Sequence, residues 1–297
     1  MLLPIAGSLI NLGLVKCNIR TLRALQYFIQ LEVLNLRLNR LHGSTFKHLN
    51  HLKNLKNLDL GGIGLKDTSV LSGLIGLEIL SISGGNPYRE IKGLEPLKSL
   101  QHLNISWSSI DNIKKINVNE NIRSLNIGET NIKKIEGLER FPHLEELRGL
   151  ITKIEGLDKS YNLKKLFISA TSVEEIEGLD SLKNLEVLDL SYNEISKIKG
   201  LKYLKNLKKL SLNENMISKV ENLDHLINLE YLTLEVNKIK EFDASFLSNL
   251  ISECFISLCF TDIDRKGIKD IPQNVTIKFE ADHFVPRTLY NAKDFFR

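Results

Sequence analysis

The strongest constraint on this chain is internal repetition, which has to be settled before any local reading because it fixes the whole architecture. The segment LEVLDLSYNEI, residues 185–195, serves as a template, with Leu185, Leu188, Leu190, Asn193 and Ile195 as its fixed points. The pattern L-x-x-L-x-L-x-x-N-x-I returns twelve times, from residues 9, 31, 55, 77, 100, 122, 144, 163, 185, 207, 229 and 251. Most spacings are 22 residues; the shortest, from 144 to 163, is 19.

L-x-x-L-x-L puts leucines on one face of a short strand and alternating side chains on the other. The Asn two positions before the last apolar residue turns the chain and offers hydrogen bonds to the backbone of neighbouring coils. The second half of each copy, as in ISKIKGLKYLKNL, returns the chain in a tight helical or irregular segment with its apolar residues inward. One coil cannot bury its own core, whereas stacked coils can. The expected fold is therefore an α/β solenoid, with a parallel sheet on the concave side and short helical or irregular segments on the convex side. The expected organisation is a minimal N-terminal cap over 1–8, twelve repeats over 9–272, and a C-terminal cap over 273–297. In that cap NVTIKFE (274–280) alternates like one more strand, and an aromatic tail follows with Phe284, Tyr290, Phe295 and Phe296. At the other end Leu2, Leu3 and Ile5 are the available capping residues.

These residues resemble the leucine-rich repeat superfamily, and the tail I-x-x-I-E-G-L-x-x-L resembles its 22-residue class. That class includes the leucine-rich regulatory subunit of protein phosphatase 1 and, more distantly, bacterial internalins. The resemblance covers residues 9–262 or so and implies a protein-binding scaffold; a phosphatase-like enzyme as partner is one version of it.

Composition excludes much else. The 297 residues carry 40 Lys+Arg against 36 Asp+Glu, a net +4, too small a surplus to signal a nucleic-acid or polybasic membrane surface. No apolar run approaches the ~18 residues of a membrane span. Three cysteines cannot build a disulfide framework, so a reducing, cytoplasmic setting is expected. Cys17 and Cys259 read as turn residues of the first and last copies, and Cys254 as a core residue. No zinc, phosphate-loop, nucleophile-elbow or dinucleotide motif occurs, so neither catalysis nor a metal or cofactor is expected. His48 and His51 read as a solvated pair. Gly61, Gly62 and Gly64 read as relief for a tight turn.

Function is then sought on the solvent side of the strands, at positions 3, 5, 7 and 8 of each copy. In copies three to six these are mostly small or amide residues, such as Asn57, Asp59, Ser81, Ser106 and Gly128. From copy five onward larger groups enter, and the candidate partner-binding residues are Trp107, Asn126, Arg148, Leu150, Ile151, Phe167, Val187, Tyr192 and Tyr231. Trp, Tyr and Arg are the types that most often dominate binding energy. The expectation is non-catalytic binding of a protein partner on the concave face. The alternatives are a surface-associated adhesive repeat protein and a secreted effector acting in a host cell.

The pattern also breaks in places. The template Asn is replaced by Ile63, Gly85, Ser108, Thr130, Thr152 and Thr171, and Gly149 holds a leucine position in the short copy seven. A kink or irregularity is expected near 145–160.

Overall fold

The computed structural model describes residues 7–264 and 268–280. The capping residues Leu2, Leu3 and Ile5, and the aromatic tail from Phe284 to Phe296, lie outside the described residues. The chain divides into two compact units, Met1–Gly149 and Leu150–Arg297.

In the first unit, the L-x-x-L-x-L segments form short parallel strands stacked in chain order: Asn11–Gly13, Val33–Asn35, Asn57–Asp59, Ile79–Ser81, His102–Asn104, Ser124–Ile127 and Glu146–Gly149. The register is strict. Leu12 lies beside Leu34, Leu34 beside Leu58, Leu80 beside Leu103, and Leu125 beside Leu147. Equivalent leucines therefore stack at the strand spacing of about 4.8 Å, and rows of them form the core. Leu58, Leu80, Leu103 and Leu125 have no exposed surface. The return segments carry the 3-10 helices Arg23–Tyr27, Gly43–His51, Thr68–Leu71, Ile113–Lys115 and Leu138–Arg140, and a strand pair of Ile91–Leu94 with Ile116–Val118. Asp67 and Asn112 cap two of these helices by accepting from the backbone N–H of Ser69 and Lys114.

In the second unit the parallel strands are Lys165–Phe167, Val187–Asp189, Lys209–Ser211, Tyr231–Thr233, Cys254–Ser257 and Val275–Lys278. The last is the extra strand expected from NVTIKFE, with Ile277 beside Ile256. Return segments here are turns, one short strand pair (Lys219–Val220 with Glu241–Phe242) and the 3-10 helix Ala244–Asn249. Among the described residues no helix is long and apolar enough to cross a membrane.

Two features hold the turns. The template Asn is a buried rung. Asn215 Nδ2 donates to the carbonyls of Leu190, Leu212 and Asn213, while its Oδ1 accepts from Ile195 N–H. Asn39, Asn193 and Asn237 do the same in their coils. One residue earlier, at position 8, the backbone is left-handed wherever that position is recognisable: φ is 56° at Leu38, 58° at Trp107, 58° at Tyr192 and 56° at Val236. The N–H at that position donates to the next coil, as Tyr192 does to Asn213 O and Val236 to Cys259 O.

Three readings of the sequence are corrected. Copy four does have its rung: Asn86, one residue later than expected, donates to the carbonyls of Leu60 and Ile82 and accepts from Leu65 N–H. Gly84 and Gly85, both left-handed at φ 75° and 74°, absorb the extra residue. The last copy starts at Glu253 and not at Ile251, because Tyr231 pairs with Phe255 and Leu232 with Ile256. Cys259 therefore leaves the turn position to Thr261, whose hydroxyl donates to Leu258 O. In copy seven, Gly149 sits beside Ile127 as a buried core position without a side chain. Ile151, expected on the surface, is buried and begins a series with Ile154 and Leu157 that matches Ile195, Ile198 and Leu201. The boundary between the two units falls in this same copy.

Candidate protein-binding surface

On the solvent side of the strands, residues at one repeat position line up across neighbouring coils. Position 5, at mid-strand, is buried in most copies although alternation places it on the solvent side. Asp59, Ser81, Asn126, Arg148, Phe167, Asp189, Ser211 and Ser257 are all buried there. This corrects the expectation for three candidates: Asn126, Arg148 and Phe167 are not open surface. Asn126 Oδ1 accepts from Gly128 N–H, and Arg148 Nε donates to Glu146 Oε1 at 2.6 Å. In the second unit, hydroxyls at this row and the next bond one another, Ser191 with Ser211 at 2.6 Å and Thr233 to Ser211 at 2.9 Å.

Burial also shapes the titration of this row. The Asp59 carboxyl is raised from its usual range chiefly by burial, against the Gly61 N–H and the Arg37 guanidinium that favour its charged form. His102 at position 3 is lowered, again mainly by burial and despite the nearby Glu146. Across neighbouring coils the flanking residues pair, Lys56 with Glu32 at 3.0 Å and Lys208 with Glu186 at 2.9 Å.

The accessible large side chains lie on either side of position 5. At position 3 of the second unit, Val187, Lys209, Tyr231 and Phe255 are in register. Tyr231 is 44% exposed, its ring 6.5 Å from that of Phe255, with Lys209 Nζ 4.9 Å from its centroid. At the left-handed position, Trp107 is 62% exposed in the first unit, and Tyr192 is half-buried while Val236 and Phe260 are exposed in the second. Leu150 is half-buried. Among the nine sequence candidates the structure thus keeps Trp107, Leu150, Val187, Tyr192 and Tyr231 at least partly accessible. Phe260 is not among them, because the sequence pattern alone places the last copy two residues out of register.

Sequence reading also missed a second row of amides. Asn54, Asn184, Asn206 and Asn228, each just before the first leucine of a copy, donate to the carbonyls of Ile29, Tyr161, Lys183 and Lys205. Their recurrence in K-N-L and I-N-L was the available signal. Among the described residues no group of His, Cys, Asp or Glu is arranged to hold a metal ion.

Against known proteins, a family model described as Leucine Rich repeats (2 copies) matches residues 161–203. The fold is a leucine-rich-repeat solenoid. An internalin, inlF of Listeria monocytogenes, superposes with a TM-score of 0.67 at 21% identity, over 93% of this chain and 88% of that one. A leucine-rich repeat protein of Leptospira interrogans gives 0.67 at 21% identity, over 95% and 80%. The APL1 leucine-rich repeat domain gives 0.61 at 20% identity, over 88% and 76%. A search of curated protein sequences returns no match. At these identities the likeness speaks for the leucine-rich-repeat fold, a scaffold used generally for protein–protein interaction.

Proposed function

We propose that this chain is a non-catalytic binding module that receives a protein partner on the solvent side of its strands, in a reducing, cytoplasmic setting. The observation that carries the reading is the Lys209–Tyr231–Phe255 row. The half-buried Lys209 and Phe255 flank the exposed Tyr231 on a sheet whose mid-strand row is largely closed by small and hydrogen-bonded side chains. Rigid aromatic anchors on a fixed scaffold lose little entropy when a partner covers them, which is why such residues dominate interfaces. The exposed thiol of Cys17 and the buried free thiols of Cys254 and Cys259 fit the reducing setting. A regulatory subunit docked on an enzyme is one form of this reading, and the phosphatase version rests on the sequence resemblance alone.

The test is affinity capture from the source cell's lysate, with the parent beside Tyr231→Ala/Phe255→Ala and Trp107→Ala variants of verified fold. A partner retained by the parent and lost by the Tyr231/Phe255 variant supports the reading. A partner held equally by all three moves the site to the return segments, and no partner at all overturns the reading.

A further inference from the structure

The row of first leucines ends where the last repeat begins. Leu163, Leu185, Leu207 and Leu229 are fully buried at position 1. The strand register puts Glu253 at that position in the next coil, and Glu253 is exposed. Asn274, half-buried, holds it beside the terminal strand. Two extra residues in the coil from 229 to 252 produce this shift. Beside this break in the row lies a cleft of about 480 Å³, lined by Glu230, Tyr231, Glu253, Cys254, Phe255 and Asn274 among others.

The frame of the cleft is fixed by backbone. Glu230 N–H donates to Lys208 O at 2.8 Å, Phe255 N–H to Glu230 O at 2.8 Å, and Cys254 N–H to Asn274 O at 2.8 Å. Two carboxylates and two aromatic rings share this wall. The nearby cation Lys208 is bonded to Glu186 at 2.9 Å and also feels the Glu230 carboxylate, and Lys209 sits over Tyr231. The rings of Tyr231 and Phe255 lie 6.5 Å apart and are tilted by 50°. An arginine side chain suits both elements at once, because carboxylates accept its N–H groups and its apolar stem packs against rings.

We propose that this cleft binds an arginine side chain presented by the protein partner. The inference rests on the protein-binding reading and gives that reading its chemistry. The guanidinium enters between the Glu230 and Glu253 carboxylates, and its stem lies against the Phe255 and Tyr231 rings.

The test uses the full chain and three probes: acetyl-arginine methylamide, the isosteric uncharged acetyl-citrulline methylamide, and acetyl-norleucine methylamide. Binding is followed by backbone amide shifts in NMR titrations. The proposal expects saturable shifts confined to residues 230–231, 252–255 and 273–276 with the arginine probe, and at least tenfold weaker binding of citrulline. It expects a loss of at least tenfold in Glu230→Gln/Glu253→Gln, with an unchanged spectrum elsewhere. Equal binding of citrulline or norleucine, arginine binding unaffected by the double substitution, or no saturable shift in the parent would each overturn it. If a lysate partner is captured equally by parent and Glu230→Gln/Glu253→Gln but lost with Tyr231→Ala/Phe255→Ala, the cleft proposal fails while the protein-binding reading stands.

Discussion

The Tyr88 hydroxyl donates to the carbonyl of Ile82 at 2.6 Å. Where the following copy has a rung Asn, that side chain takes the equivalent carbonyl, as Asn215 takes Leu190 O. Copy five has Ser108 at that place, too short to reach, and Tyr88 from the preceding return segment fills the gap. Its ring is 2% exposed, and burial raises its phenol above the ordinary range. Tyr88→Phe removes a buried bond without removing volume, so it is expected to lower unfolding free energy by about 1 kcal/mol. Chemical denaturation checks this; an unchanged midpoint would mean that Asn86, which also donates to Ile82 O, suffices alone.

This substitution shows what the sequence could and could not reveal. The leucine rows and the rungs Asn193, Asn215 and Asn237 were legible because a fixed period ties each to its neighbours. Asn86 and Tyr88 were not, because two left-handed glycines shift the phase by one residue and a side chain from outside the motif takes over a motif role. The last register was ambiguous because Leu250-Ile251 offers an apolar start that the backbone does not use. At the candidate surface, alternation correctly gave the side of the sheet that Phe167, Asn126 and Arg148 face. It could not give exposure, which depends on neighbours one strand away on each side.

A rung Asn shares carbonyls with the rungs on either side, Leu190 O with Asn193 and Leu212 O with Asn237. Asn215 makes three donated bonds and accepts one, all in buried surroundings. Asn215→Ala leaves the buried Ile195 N–H without its acceptor and takes one donor from each of those carbonyls, and is expected to cost about 1–3 kcal/mol. Asn184→Ala, in the exposed row, loses one bond to Tyr161 O that water can replace, and is expected to cost under about 1 kcal/mol. Parallel urea melts compare the two directly, and equal costs would refute the assignment of the buried row as the structural one.

The glycine of the K-G-L and E-G-L tails is conformational and steric at once. Gly200 has φ 73°, and a Cβ there would overlap the carbonyl oxygen of Ile176 in the preceding coil. In the following coil Asn222 takes this place, at φ 61°, and its side chain reaches Ile198 O at 2.8 Å. Gly200→Ala is expected to cost about 3 kcal/mol or more, since backbone must move. Gly64, with φ 74° but open space around it, is expected to lose only about 1 kcal/mol as alanine. Thermal unfolding of both variants checks the difference, which separates the steric part from the conformational one.

The buried Asp59 sets a pH dependence with a definite sign. Its folded pKa is raised, chiefly by burial, so its contribution to stability is full below the unfolded value and is lost as pH rises through the folded one. At neutral pH the charged form is a liability that Arg37, 3.7 Å away, only partly offsets. Asp59→Asn keeps an oxygen for the Gly61 N–H and removes the charge. The variant is expected to melt higher than the parent at about pH 7 and to converge with it below about pH 4. A variant less stable at about pH 7 would mean that the Arg37 pair outweighs desolvation.

The thiols should report the burial pattern without any substitution. Cys17 is exposed, while Cys254 and Cys259 are buried. Cys254, beside the acidic cleft, is pushed up to about 12 by burial first and by the Glu230 carboxylate second. Thiolate is the reacting species, so Cys254 is doubly shielded, by low access and by a negligible charged fraction at about pH 8. An aromatic disulfide reagent is expected to titrate one thiol per chain rapidly in the folded protein and all three in denaturant. In a Cys17→Ser variant the rapid phase should vanish. Rapid reaction persisting in that variant would place Cys254 or Cys259 within reach of solvent and overturn the packing described for the last coil.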